Sequence, residues 1–115
     1  MKTESDSLEE GIDAFSNMRY VDAFQILLPL AEKGVAEAQC IIGSIYQTGL
    51  GAPINGIKAV EWYLKAVEQG HALACHNLGT IYEVGMPGVP SDLEQAKFFQ
   101  NRAAELGFRM QFSSH

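Results

Sequence analysis

The sequence predicts an all-α fold, an α-solenoid of about three stacked antiparallel helix pairs, and two observations support this class. The first is an internal repeat, because residues 36–70 correspond to residues 72–107. Matching residues of the two copies lie 36 positions apart: Ala38 and Ala74, Ile42 and Leu78, Gly43 and Gly79, Tyr46 and Tyr82, Gly49 and Gly85. A fixed period of this length is typical of stacked repeat arrays. The second observation is that apolar residues within each copy recur at helical spacing.

The composition limits the classes of partner. The 115 residues are enough for a single repeat domain, residues 1–115. With 47% hydrophobic and 19% charged residues, the chain is globular in character. Its formal net charge of −6 disfavours nucleic acid and anionic membranes, because both attract basic surfaces. No apolar run approaches the ~20 residues that span a bilayer. We therefore expect no nucleic-acid partner and no membrane partner.

The N-terminal stretch MKTESDSLEE is polar and acidic. It has neither the basic n-region nor the apolar h-region of a secretory signal, so we expect a cytoplasmic protein. An exported protein whose signal peptide has been removed would have the same sequence, and this alternative stays open.

Residues 8–34 are expected to form a degenerate helix pair at the front of the array. Ser7 and Glu10 have the spacing of a capping box, which predicts that the first helix begins there and that residues 1–6 are frayed. The apolar stripe of this helix is Leu8, Ile12 and Phe15. A second helix is predicted over 20–33, and the glycine that follows it ends the pair.

Residues 36–70 hold the first clear repeat. Their apolar periodicity predicts a helix over 36–48, which Gly49 ends in a left-handed conformation. Asn55 is a suitable N-cap for the next helix, 56–69. That helix is apolar nearly all round, which predicts burial on more than one side.

Residues 72–107 hold the second clear repeat, and residues 108–115 form a C-terminal tail. Gly85 is placed to end the first helix of this repeat, and Asp92 is placed to cap the second, 93–106. The residues predicted to point inward from that last helix are Leu93, Ala96, Phe99, Ala103 and Leu106.

Two features of the repeats predict particular packing. Gly43 and Gly79 lie in the middle of helices, where glycine costs roughly 1 kcal/mol relative to alanine. Their recurrence predicts that a partner helix passes too close for a Cβ atom. Trp62 is equivalent to Ile26 and Phe99, so we expect it to be a core residue.

The repeats resemble a known family through a set of residues in each copy. In the first copy these are Ala36, Ala38, Ile42, Gly43, Tyr46, Gly49, Gly51, Lys58, Ala59, Trp62, Lys65, Ala66, Glu68, Gln69 and Gly70. In the second they are Ala72, Ala74, Leu78, Gly79, Tyr82, Gly85, Gly88, Asp92, Ala96, Phe99, Ala103, Glu105 and Gly107. The pattern resembles the Sel-one-like repeat, a subfamily of the tetratricopeptide-type α-solenoids. The second copy departs from it by one inserted residue near Pro87, by Gln95 in place of lysine and by Phe99 in place of tryptophan.

The resemblance implies a right-handed superhelix that acts as an adaptor or scaffold, with no catalytic residues and no cofactor. It also implies that the first helix of each pair lines a concave face. Helical geometry then places one stripe of each first helix on that face: Glu37, Cys40, Ser44, Gln47 and Thr48, then Leu73, His76, Asn77, Thr80 and Glu83. We expect this groove to bind a peptide or helix of another protein. An ordinary solvated face is the alternative.

Cysteine and histidine chemistry is the alternative from another class. Cys40, Cys75 and His76 could serve a small hydrolase or a metal protein, since thiolate and imidazole are good nucleophiles and zinc ligands. The usual metal-ligand spacings are missing, and nothing in the sequence builds an oxyanion hole. We therefore expect no catalytic site, no metal site and two reduced thiols.

The C-terminal end is rich in large apolar residues, and the predicted helices leave no neighbour to cover them. They are Phe98, Phe108, Met110 and Phe112. Terminal repeats of a solenoid need a polar outer side, so either the tail folds back over this end or another copy covers it. Self-assembly as a structural protein follows from the second reading, and a fragment of a longer array would also leave this end open.

Overall fold

The computed structural model describes residues 1–108 and contains six α-helices of 13 residues each in that part of the chain. They are α1 (Glu4–Ser16), α2 (Tyr20–Glu32), α3 (Ala36–Thr48), α4 (Gly56–Glu68), α5 (Ala72–Val84) and α6 (Leu93–Glu105). They form three sequential antiparallel pairs, each packed on the next, which confirms the predicted all-α repeat fold. Within the described chain, no helix is both long enough and apolar enough to cross a membrane.

The core consists of two apolar clusters that follow the stacking of the pairs. One cluster joins α1 and α2 to the inward face of α3, where Ile42 and Ile45 are fully buried. The other joins α4, α5 and α6 and includes Tyr63 and Leu78. Because Cys40 of α3 belongs to the second cluster, α3 links the two halves of the core.

The predicted ends of the middle and last helices are confirmed. Gly49 follows α3 with φ 76° and ψ 14°, the left-handed conformation that only glycine adopts freely. The Asn55 side chain accepts a hydrogen bond from the amide of Lys58 and so caps α4. The Asp92 carboxylate accepts from the amides of Glu94 and Gln95 at the start of α6.

The predicted start of α1 is wrong. The N-cap is Thr3, whose Oγ1 accepts from the amide of Asp6 at 3.0 Å while an Asp6 carboxylate oxygen accepts from the amide of Thr3 at 3.2 Å. This reciprocal pair is a capping box four residues before Ser7 and Glu10. It extends the helix by a turn, and Glu4 and Asp6 in that turn are favourable beside the positive end of the helix dipole.

The close approach predicted at the mid-helix glycines is confirmed. A methyl group built on Gly43 would lie 2.8 Å from two ring carbons of Tyr63, and one built on Gly79 would lie 3.0 Å from Cγ of Gln100. Gly11 of α1 meets Leu27 in the same way. Each first helix therefore presents a bare backbone to the second helix of its own pair.

The predicted burial of α4 on more than one side is confirmed, since it packs against both α3 and α5, but the burial of individual residues in the second helices needs correction. Tyr63 is fully buried, while its neighbour Trp62 is only partly buried. Ile57 and Leu64 are 55% and 38% exposed, because α4 packs against α3 and α5 and leaves its remaining side to solvent. Leu93, predicted to point inward, is 72% exposed at the first position of α6.

Candidate functional site

The candidate site is the surface where the first helices α3 and α5 lie side by side, and we call it the α3–α5 surface. The residues predicted for it differ in exposure. Glu37, Thr48, Leu73 and Glu83 are exposed; Ser44, Gln47, His76, Asn77 and Thr80 are partly buried; Cys40 is buried. α3 and α5 contact each other directly, so the predicted residues do lie on neighbouring helices.

The prediction that Cys40 lines this surface is wrong. The Cys40 side chain is 2% exposed and belongs to the same apolar cluster as Ala59, Tyr63 and Cys75. The position looked outward on an isolated α3, but α4 and α5 close over it. A thiol in this environment is a packing residue.

A buried tyrosine from α4 supports the floor of the α3–α5 surface. The Tyr63 hydroxyl donates a hydrogen bond to Oε1 of Gln47 at 2.6 Å, and Oγ of Ser44 lies 2.9 Å from the same hydroxyl. Burial raises the pKa of Tyr63, and the Ser44 hydrogen bond partly offsets this increase. The hydroxyl therefore stays protonated and fixes both polar side chains.

Sequence reasoning missed this role of Tyr63. Ser44 and Gln47 were predicted as free surface groups, whereas each also satisfies a buried hydroxyl. The available signal was the phenol itself, since a tyrosine on the inward face of a helix needs a hydrogen-bond partner.

A hydrogen bond joins α3 and α5 near their N-terminal ends. Nδ1 of His71 accepts from the amide of Ala74 at 3.2 Å, so this histidine is the N-cap of α5. Because Nδ1 accepts, Nε2 carries the hydrogen and donates to a carboxylate oxygen of Glu37 at 2.8 Å. Glu37 is thus held at the edge of the surface by the neighbouring repeat.

The chain that follows α6 covers part of α5. The ring of Phe108 stacks on the ring of His76, with centroids 4.3 Å apart and planes 20° from parallel. His76 is therefore less available to a partner than predicted. Phe98 is 61% exposed, whereas Met110 and Phe112 lie outside the described residues. Self-association through this end stays a prediction.

The two thiols are poorly suited to nucleophilic chemistry. Burial raises the pKa of Cys40 to about 12, and the negative charge of Glu37 adds to this increase. Burial also raises the pKa of Cys75, opposed by the positive charge of Arg102. Both cysteines are free thiols and stay protonated near neutral pH, whereas the thiolate is the reactive form.

No group of three or more histidine, cysteine, aspartate or glutamate side chains within residues 1–108 is arranged to hold a metal ion. The arrangement of the α3–α5 surface suits contact with another molecule, through neutral hydrogen-bonding groups and the exposed side chain of Leu73.

Comparison with known proteins gives a family match and similar folds. The family model described as the Sel1 repeat matches residues 36–71 and 72–108. A crystal structure of a Sel1 repeat protein from Oxalobacter formigenes is similar, with a TM-score of 0.79 and 37% identity over 87% of this chain and 39% of that one. A protective antigen of uropathogenic Escherichia coli strains, displaying an SLR fold, gives a TM-score of 0.86 and 29% identity over 91% of this chain and 23% of that one.

Among curated proteins, the chain is 38% identical over 87 residues to the ERAD-associated E3 ubiquitin-protein ligase component HRD3A of Arabidopsis thaliana. The match covers 76% of this chain and 13% of that protein. The chain spans less than a quarter of the length of the curated relatives that it matches.

Proposed function

The chain belongs to the Sel1 repeat family, and from that premise we propose that it is a non-catalytic protein-interaction module. It acts as an adaptor or scaffold that binds a peptide or helix of a partner protein. We assign the binding to the α3–α5 surface, which the family resemblance predicts to be the concave face of the array.

The names of related proteins support a role in protein interaction. HRD3A is a component of a ubiquitin ligase, which is an assembly of proteins. This chain carries two matched Sel1 repeats with the same fold. Repeat scaffolds keep their core and vary the exposed face. We therefore expect this chain to bind a different partner from those of its relatives.

The observation that carries the proposal is the chemistry of the α3–α5 surface. Gln47 and Ser44 are oriented by the Tyr63 hydroxyl, so they present fixed neutral groups rather than mobile charges. Gln47 uses Oε1 for Tyr63, and within residues 1–108 its amide nitrogen makes no hydrogen bond. Fixed amide and hydroxyl groups can hydrogen-bond a peptide main chain at little entropic cost. Exposed Leu73 offers an apolar contact at the other end of the surface, near the start of α5.

The test must avoid the groups that also hold the core. Ser44 is bonded to Tyr63, so a large substitution there would disturb the fold. Thr48 and Leu73 are exposed on α3 and α5, and Thr48→Arg with Leu73→Arg adds two bulky cations to the surface. The matched control is Gln25→Arg with Leu64→Arg, which makes the same charge change on exposed positions of α2 and α4.

Each variant is used to capture proteins from the cells that produce the chain, with quantitative mass spectrometry as the readout. We expect one or more proteins to be enriched by the wild type and by the control, and to be lost at least tenfold with the α3–α5 variant. Equal loss with both variants, or retention with both, would place binding elsewhere and reject the proposed face.

A further inference from the structure

We propose that the crevice between the C-terminal ends of α2 and α4 binds an arginine side chain from a partner. It shares no residue with the α3–α5 surface, so the inference goes beyond the proposed function. The crevice has a volume of about 410 Å³. Its lining residues are Ala31, Glu32, Lys33, Gly34, Gln39, Trp62, Lys65, Glu68 and Gln69.

The indole of Trp62 forms the aromatic wall of the crevice. It is only partly buried, so one part of the ring stays accessible. Nζ of Lys65 lies 5.8 Å from the ring centroid, within the range of a cation–π contact. The chain's own ammonium group thus marks this ring as a place where a cation is stabilised.

Two glutamine amides form a fixed polar floor. Gln39 is 4% exposed, and its Nε2 donates to the carbonyl of Ala31 at 3.1 Å. Nε2 of Gln69 donates to the carbonyl of Gly34 at 2.9 Å and to Oε1 of Gln39 at 3.0 Å. Both bonds of Gln69 use its nitrogen, and no group in residues 1–108 donates to its Oε1. This oxygen is therefore an available acceptor in the lining of the crevice.

The rim of the crevice carries charges of both signs. Glu32 and Glu68 supply carboxylates, and the crevice lies at the negative ends of the α2 and α4 helix dipoles. Lys33 and Lys65 balance these carboxylates, and the Lys65 ammonium group lies over the Trp62 ring, so an incoming guanidinium displaces it. The net charge of −6 for the whole chain also attracts a basic partner.

The combination selects arginine over lysine. A guanidinium is planar and stacks on an indole, while its edge offers several N–H donors to carboxylate and amide oxygens. An ammonium group cannot stack and bond in the plane at the same time. Trp62, Gln69 and Glu68 offer a flat wall, a neutral acceptor and a carboxylate, which is the set that a guanidinium uses.

The equivalent place in the next repeat of this chain carries different side chains. Shifting the positions by one repeat replaces Trp62, Gln39 and Gln69 with Phe99, Cys75 and Leu106. There the three side chains belong to one apolar cluster, and Cys75 is fully buried. The second junction of this chain is therefore closed by apolar groups. The first junction is open and polar instead.

The single tryptophan of the chain makes the test direct, because Trp62 reports only on this site. Blocked tripeptides Gly-Arg-Gly, Gly-Lys-Gly and Gly-citrulline-Gly are titrated against the full chain while tryptophan fluorescence is followed. We expect a saturable change with the arginine peptide and a dissociation constant of roughly 1 mM, as suits one side chain. The lysine peptide should bind at least about threefold more weakly, and the neutral citrulline peptide should give no saturable change.

Three variants complete the test. Glu32→Gln with Glu68→Gln should weaken arginine binding by about fivefold or more, while the control pair Glu9→Gln with Glu94→Gln, exposed elsewhere, should leave it unchanged. Lys65→Ala should strengthen it, because the competing cation is removed. Absence of saturable binding, equal binding of citrulline, or equal loss with the control pair would overturn the inference. None of these results bears on the α3–α5 surface, so the two proposals fail separately.

Discussion

The ring of Tyr63 lies against the bare backbone of Gly43, so closely that a methyl group there would come within 2.8 Å of both Cδ1 and Cε1. This contact lets α4 approach α3 and brings the phenol hydroxyl to Ser44 and Gln47 on the far side. The contact between Gly43 and Tyr63 thus determines both how α3 and α4 pack and how the polar groups of the α3–α5 surface are oriented.

Gly43→Ala should therefore destabilise the protein, although alanine favours helices. The gain in helix propensity is about 1 kcal/mol, whereas forcing the Tyr63 ring aside typically costs about 1–3 kcal/mol. Urea denaturation should give a net loss. In the background of Tyr63→Ala the same glycine change should be neutral or stabilising, and a penalty that persists there would refute steric contact with the ring as its cause.

Tyr63→Phe should cost about 1–2 kcal/mol, because it leaves two oriented polar groups without their shared partner. The control is Tyr20→Phe, at a partly buried tyrosine of the first pair, which should change the free energy of unfolding by less than about 0.5 kcal/mol. Comparable effects at the two positions would mean that the Ser44 and Gln47 bonds add no net stability.

Truncating the two neighbouring aromatics of α4 should give unequal results. Tyr63→Ala removes a fully buried ring and should cost about 3–5 kcal/mol. Trp62→Ala removes a larger ring that is only partly buried, so the loss should be clearly smaller. Thermal and urea unfolding of both variants would decide this, and a larger loss at Trp62 would restore the sequence-based assignment of that residue to the core.

The raised pKa of Cys40 predicts a dependence of stability on pH. The thiol is neutral when protonated, and its pKa rises from 9.0 to about 12 on folding, so the native state binds the proton more tightly. The stabilising contribution is complete below pH 9 and is lost as pH rises from 9 to 12. Cys40→Ala should flatten the decline in unfolding free energy over this range. An unchanged slope would show that the thiol does not ionise differently in the two states.

The architecture could be predicted from the sequence because the same helix ends and apolar positions recur in each repeat. The Gly49 and Asn55 ends of neighbouring helices were predictable from local chemistry, and so was the close approach at Gly79. These features depend on a few neighbouring residues and on a period that can be read directly. The start of α1 was predicted wrongly because two pairs of residues, Thr3 with Asp6 and Ser7 with Glu10, have the spacing of a capping box. The structure uses the first pair.

The site was less predictable because it depends on which helices cover each position. Cys40 lies on the side of α3 opposite the predicted core stripe, and it is buried because α4 and α5 pack against that side. Periodicity also gave Trp62 and Tyr63 similar weight, although α4 turns only the second fully inward. The open crevice at Gln39 and Gln69 follows from the contact between separate repeats, which no single stretch of sequence displays.

Photo-crosslinking from the α3–α5 surface tests directly whether this surface binds a partner protein. A benzophenone amino acid is placed at exposed Thr48, and at exposed Gln25 of α2 as the control, in the cells that produce the protein. We expect a discrete adduct with a different protein from Thr48 and none from Gln25. Adducts only with further copies of the chain, equal adducts from both positions, or no adduct from Thr48 would contradict the assignment of this surface to partner binding.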